Sequence, residues 1–491
     1  MFKPSRSAKH SRLRFESLED RRLLSITAWV DHGNLIVRGT TADDSVAIYV
    51  LEPGVYSVVG ENGTMLNGEF EGQFTTNPGE VYRDVKIDLR GGDDNLYIGS
   101  GLLVASQEMD GGEQLAESDF PRDLKIKMGS GDDRVTLEGV SVARDAEIDT
   151  SDGFDEVFVT GEGPFGANWF GDDLKIDTGN HADLVVVAGG ESLLYVKKEL
   201  KIKTGSGNDS VSVDLVDLGQ LSIDTGDHSD LVVVSSLPVN GEDQYDFGTE
   251  QFTGELPTTI FVEGNVSIDT GSGNDGVGVG TAEVGGDLKI STKAGLDGIV
   301  VAQSYIAGDL QIKSGKHSDL VAVSAVEVGD DADIETDSGD DSVGLQGLLV
   351  SDEFEASTGD GNDTIYAAIP LEGLVEQVLD FADMAGLELP DEVVESLPTI
   401  LAPPEDEGFF TSLGAREIDI ETGSGRDWAS LVDLAFTDEF ELDLGKHNDT
   451  LAALTFILFG EEAKASGGSG WDALGDVDAD VAVKRFETLV P

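Results

Sequence analysis

Cysteine is absent from the 491 residues, so neither disulfides nor thiolate chemistry holds this chain together. Proline is scarce at 13, aromatic residues make up 7%, and no transmembrane segment is expected. Positive charge is also in short supply. Against 97 Asp and Glu there are 31 Lys and Arg, a formal net charge of −66. Such a body repels nucleic acid and anionic membranes and attracts divalent cations and basic partners. What the chain has in quantity is glycine, 62 residues, with Val, Ile and Leu.

These residues recur in register. Between Val266 and Ala368, aspartate returns at Asp275, Asp297, Asp319, Asp341 and Asp363, a step of 22 residues. Thr270, Thr292, Ser314, Thr336 and Thr358 keep the same step before each turn, and Gly273, Gly295, His317, Gly339 and Gly361 keep it inside. Five apolar columns follow, led by Val277, Val279, Val284, Leu288 and Ile290. Where these positions cluster they are two apart, the period of a strand. Three short strands per repeat are expected, for example Leu288–Ser291, 298–302 and 304–307. A single turn of this kind cannot bury its inward side chains, whereas stacked turns bury all five columns in one core. The expected fold is all-β: a parallel β-helix of about 22 residues per coil, favoured over a flatter two-sheet roll.

The regular series extends both ways, through Asp94, Asp133, Asp155, Asp183, Asp209 and Asp230 upstream and Asp427, Asp449 and Asp472 downstream. Longer intervals between these anchors read as insertions at 101–120, 161–171, 189–193, 238–257 and 370–414. All begin a few residues after an aspartate, so they are expected to project from one side, where repeat proteins build binding faces. Within the largest, Leu371, Leu374, Val375, Val378 and Leu379 follow helical spacing, and a small helical insertion is expected at about 371–401, packed on the solenoid. The organisation expected is a basic leader (1–25), capping strands and a hairpin (26–90), the solenoid (91–472) and a C-terminal cap (473–491).

The turns have the form Gly-x-Gly/His-x-Asp, as in Gly205-Ser206-Gly207-Asn208-Asp209. Glycine admits positive φ in a tight turn, and aspartate accepts bonds from nearby backbone N–H groups. Carboxylate and carbonyl oxygens also suit calcium. The pattern resembles the hemolysin-type (RTX) calcium repeat, Gly-Gly-x-Gly-x-Asp followed by an apolar strand, most closely at 91–96 and 129–135. That resemblance implies Ca2+ as cofactor, with Asp94, Asp133, Asp155, Asp209, Asp275, Asp297, Asp341, Asp363 and Asp427 as candidate ligands. The family repeats every nine residues and pairs half-sites, while this chain offers one motif per 22. Coils stack about 4.8 Å apart, and at that separation two ionised aspartates repel by about 3.5 kcal/mol at an effective dielectric near 20. Relief is expected from calcium, from turn amides or from splaying into solvent. A second acidic column, Asp287, Asp309, Asp331 and Glu353, with Asp123, Asp145 and Asp173 upstream, stands before a strand. His181, His228, His317 and His447 replace the second glycine, consistent with the tolerance of histidine for left-handed backbone.

Residues 1–22 carry seven Lys and Arg against three acids, a local +4. The string Phe15-Glu16-Ser17-Leu18-Glu19-Asp20-Arg21-Arg22-Leu23-Leu24 resembles the LEPR-XLL leader of planctomycete surface and secreted proteins, with Asp20 where that family usually has proline. The resemblance implies a sorting signal and a secreted or cell-surface location. The expected function is therefore non-enzymatic: a structural or adhesive solenoid presenting loops to a cell-wall or matrix component or to another surface protein. The alternative is a carbohydrate-active enzyme, a polysaccharide lyase or hydrolase, which rests on fold analogy. Against it, basic residues are few, and Arg134 and Arg426 beside Asp133 and Asp427 read equally as turn ion pairs.

Overall fold

The computed structural model describes residues 25–70, 72–100, 119–161, 168–190, 193–236, 260–367, 378–379, 412–458, 460–477, 481–484 and 488–489. The leader, the long insertions and most of the expected helical insertion lie outside these residues. Within them the chain is all-β, a solenoid of short strands in parallel register.

Three stacks of strands run the length of the solenoid. The first joins Leu288–Ser291 to Leu310–Lys313, Ala332–Glu335 and Glu353–Ser357. The second begins just after each turn aspartate, as where Gly276–Gly280 pairs with 298–302. The third pairs Ile260–Val262 with Ala282–Val284, and Glu283 and Val284 with Tyr305 and Ile306. In the regular region, second- and third-stack strands merge: Gly298–Ile306 is one strand, turned at Gln303 with φ 48°. The expected division into separate strands at 298–302 and 304–307 is thus a corner without a break. All five predicted columns are buried. Val277, Ile299, Val321, Val343 and Ile365, for instance, are 0–2% exposed. A sixth inward column, Ala282, Ser304, Val326 and Leu348, completes the core. Its small and polar members hid it from hydropathy.

The longer intervals fall at one corner, between the second and third stacks. Leu231–Ser235 keeps register with Gly276–Gly280, and the chain rejoins the third stack at Ile260, opposite Ala282. The largest interval behaves alike: Thr364–Ala367 pairs forward with 428–431, and Leu413 rejoins opposite Leu434. Between them, residues 378 and 379 are helical and Val378 is buried.

Parallel pairing reaches beyond the expected solenoid limits. Asn34–Arg38 pairs with Val85–Asp88, and 45–50 pairs with 95–100, Ser45 opposite Asn95 and Val50 opposite Ser100. The capping elements are antiparallel additions: Ser25–Asp31 folds onto Asn34–Arg38, and Val55–Gly60 onto Ser45–Glu52. At the other end, Ala473–Val477 and 482–484 continue the parallel stacks past Asp472. Among the described residues no helix is long and apolar enough to cross a membrane.

Candidate functional site: a buried aspartate column

Each turn places its aspartate immediately before a second-stack strand, so successive coils align these side chains along the solenoid. The outcome is a hydrogen-bonded column. The backbone N–H of each aspartate donates to Oδ1 of the aspartate one coil further on, from Asp44 through Asp94, Asp133, Asp155, Asp183, Asp209, Asp230, Asp275, Asp297, Asp319, Asp341, Asp363, Asp427 and Asp449 to Asp472, at 2.7–3.0 Å. All nine candidate ligands belong to it. So does Asp44, which opens the column 50 residues ahead of Asp94.

The column is sealed, its aspartates 0–3% exposed. Beneath each aspartate from Asp155 to Asp427 lies the Thr or Ser five residues earlier, also buried, whereas Leu89, Met128 and Leu444 take that place beneath Asp94, Asp133 and Asp449. A hydroxyl has one proton, and its direction decides how the second carboxylate oxygen fares. Thr270 turns toward Oδ2 of Asp275 at 2.8 Å, while Thr422 stands 3.0 Å from both Oδ2 of Asp427 and the Leu444 carbonyl oxygen of the next coil. Thr292 and Thr336 instead point to the carbonyls of Ser314 and Thr358 in the next coil. There the Oδ2 atoms of Asp297 and Asp341 are buried without a hydrogen-bond donor, as are those of Asp94, Asp133, Asp209, Asp230, Asp319 and Asp363.

A buried carboxylate short of donors resists ionisation. Burial pushes Asp94, Asp230 and Asp319 up to about 8, Asp133, Asp183, Asp297, Asp363 and Asp449 to about 7, and Asp209, Asp275 and Asp341 to about 6. The amide N–H that reaches each Oδ1 acts the other way, and at Asp319 the neighbouring Asp297 and Asp341 raise the value further. A proton on Oδ2 relieves both the repulsion and the missing donor.

Calcium takes six to eight oxygens. The column offers a different donor set: Oδ1 is engaged by an amide, one hydroxyl lies nearby, and the site is closed to water. Among the described residues no group of three or more His, Asp or Glu side chains is placed to hold a metal. The residues present do not fit a calcium shell in this arrangement.

The turn explains its own composition. The position four before the aspartate has positive φ, as in Gly205 (87°), Gly226 (94°) and Gly271 (81°). A Cβ on Gly271 would lie 1.7 Å from the Gly226 carbonyl oxygen of the preceding coil. The four histidines have φ of 79–90°, as their residue type suggested. Nδ1 of His181, His228 and His317 reaches the carbonyl of the preceding residue at 2.7–2.8 Å.

The second acidic column is also a hydrogen-bonded ladder, with opposite polarity. Here the later coil donates: the N–H of Asp309, Asp331 and Glu353 reaches Oδ1 of Asp287, Asp309 and Asp331 in the coil before, at 3.1–3.4 Å. This column is open to solvent and has cations at hand. Lys289, 3.1 Å from Asp287, holds that carboxyl below the usual range, helped by the Asp309 N–H. Arg134 pairs with Glu156 at 2.8 Å and lies over the Phe158 ring, a contact along the second stack. Comparison with family profiles, with characterised proteins and with solved structures finds no match for this chain.

Proposed function

We propose that the chain is a non-enzymatic, secreted or cell-surface β-solenoid, a structural or adhesive body that holds loops along one corner for a cell-wall or matrix component or for another surface protein. The observation that carries this reading is the aspartate column. It runs through every coil, sealed from solvent, and its architecture serves rigidity and register, not turnover. Substrates cannot reach these carboxylates, and perturbed carboxyl groups otherwise point to catalysis only when they sit in a cleft. The leader resemblance supplies the location, and the single corner at which insertions leave the coil supplies the presenting face.

The RTX resemblance adds a narrower proposal, that the free Oδ2 atoms recruit Ca2+ during folding. The donor set described above speaks against it.

Two measurements test the reading. Antibody labelling of intact source cells is expected to mark the surface or the medium, and label confined to the cytoplasm would contradict it. Incubation with acidic polysaccharides is expected to give neither new reducing ends nor unsaturated products. Either product would restore the lyase or hydrolase alternative.

A further inference from the structure

The third stack is narrow, with one outward position per coil between its two inward columns. Six successive coils place Tyr195, Asp217, Phe261, Glu283, Tyr305 and Glu327 there, in unbroken parallel register. Their flanking neighbours, such as Val216 with Leu218 and Ala282 with Val284, are buried. Alternation along the strand therefore turns the six side chains outward. One coil before Tyr195 stands Trp169, whose ring stacks on it with centroids 6.3 Å apart and planes 11° from parallel. Each of that pair covers a face of the other, so edges are what they offer a ligand.

From Tyr195 onward, aromatic ring and carboxylate alternate. At about 4.8 Å per coil, like groups recur every ~9.6 Å. The outward position two residues further on is Gly219, Gly285, Ala307 or Gly329 in four of the coils, which leaves that flank low there, while Lys197 and Glu263 hold it in the other two. Asp217 is pushed above the usual carboxylate range by burial, with Glu263 adding its charge. Among the described residues no ion pair is made with it. The excursions that open after Ser236 and Ala367 leave and rejoin the coil beside this column.

A ligand lying along it must match the two-coil period. An extended strand, at about 6.7 Å per residue pair, falls out of phase within one period. A polyproline II helix completes a turn in three residues of ~3.1 Å, or ~9.3 Å. Over the five steps from Tyr195 to Glu327, about 24 Å, the two periods differ by less than ~1 Å. Aromatic ridges receive such helices because proline rings fit between them and the backbone is already ordered. The interleaved carboxylates ask for a cation once per turn, and a chain of net charge −66 attracts basic segments in general.

We propose that this column docks a basic, proline-containing segment of a partner protein in polyproline II conformation, prolines packed on the rings of Tyr195, Phe261 and Tyr305 and Lys or Arg side chains against the alternating Asp217, Glu283 and Glu327. The proposal names the partner chemistry for the adhesive reading above and rests on it only for the partner's presence outside the cell.

The test is fluorescence anisotropy of the full chain with a labelled peptide of repeating Pro-Pro-Lys triplets. A Gly-Gly-Lys peptide of the same length and charge is the control. The proline peptide is expected to bind at least about tenfold more tightly, and F261A/Y305A to remove about that factor. E283Q, which keeps the side chain's size, is expected to weaken binding several-fold, whereas D333N on the first stack leaves it unchanged. Circular dichroism of each variant confirms the fold. Equal affinity for both peptides would reduce the effect to general charge attraction and overturn the proposal. Capture of a chitosan oligomer with no binding of either peptide would overturn it in favour of a polysaccharide. These outcomes are independent of calcium and of catalysis, so failure here leaves the scaffold reading standing, and its failure in turn shows in the polysaccharide assay.

Discussion

The two acidic columns are written alike in the sequence, one carboxylate per coil, yet they occupy opposite environments. The column from Asp44 to Asp472 is buried, and its amides donate forward to the next coil. The column of Asp287, Asp309 and Asp331 lies at the surface, with Lys289 beside Asp287, and its amides donate backward. The first carries carboxyl groups raised toward neutrality. In the second, Asp287 is lowered. Recurrence alone therefore says that a residue is structural to the coil. Whether it is charged depends on what lies above and below it.

The largest expected effect is on pH-dependent stability, because the inner column acts as many groups at once. Its carboxyls bind protons more tightly when folded, at about 6–8 for the values given above, than at the ordinary 3.8 of an unfolded aspartate. Stability is then full below about pH 4 and is lost as pH rises through the folded values. Thermal melting should give a higher Tm at pH 5 than at pH 8. High salt screens the exposed charges, so the slope should persist there. A slope that vanishes in salt would assign it to the surface instead.

Next in size is D297A, which strips the acceptor from the Asp275 N–H in a sealed site and is expected to cost about 1–3 kcal/mol in denaturant unfolding. Smaller, and opposite in sense, is D297N at pH 8. The amide keeps an acceptor for that N–H and carries its own hydrogens where the acid needs a proton, so stability should hold or rise and the pH slope should flatten. Smallest is D309A in the outer column, within about 0.5 kcal/mol of the parent. Equal costs for D297A and D309A would erase the distinction between the columns.

Much of the coil was legible in the sequence. The 22-residue step, the five apolar columns and the left-handed histidines follow from spacing and residue type, and all are found. Burial of the aspartates was not legible, because a turn aspartate reads equally well as a solvent-facing Asx residue. Nor was ladder polarity, which depends on the direction each amide takes across coils. Ala282 and Ser304 concealed the sixth inward column. Insertions concealed the aromatic and carboxylate column, because Asp217 and Phe261 are neighbours across strands but far apart in sequence. A solenoid's sites lie along its axis, and irregular intervals scramble that axis on the page.

The central claim is that the buried aspartates are satisfied from within the chain, by amides and protons. Thermal melting of the full chain at pH 7 in calcium, with EDTA and magnesium as controls, tests it most directly. The account predicts the same Tm in all three. A Tm that climbs steadily with calcium concentration, as it must when an ion binds only the folded state, would contradict it and return the column to the calcium repeats its turns resemble.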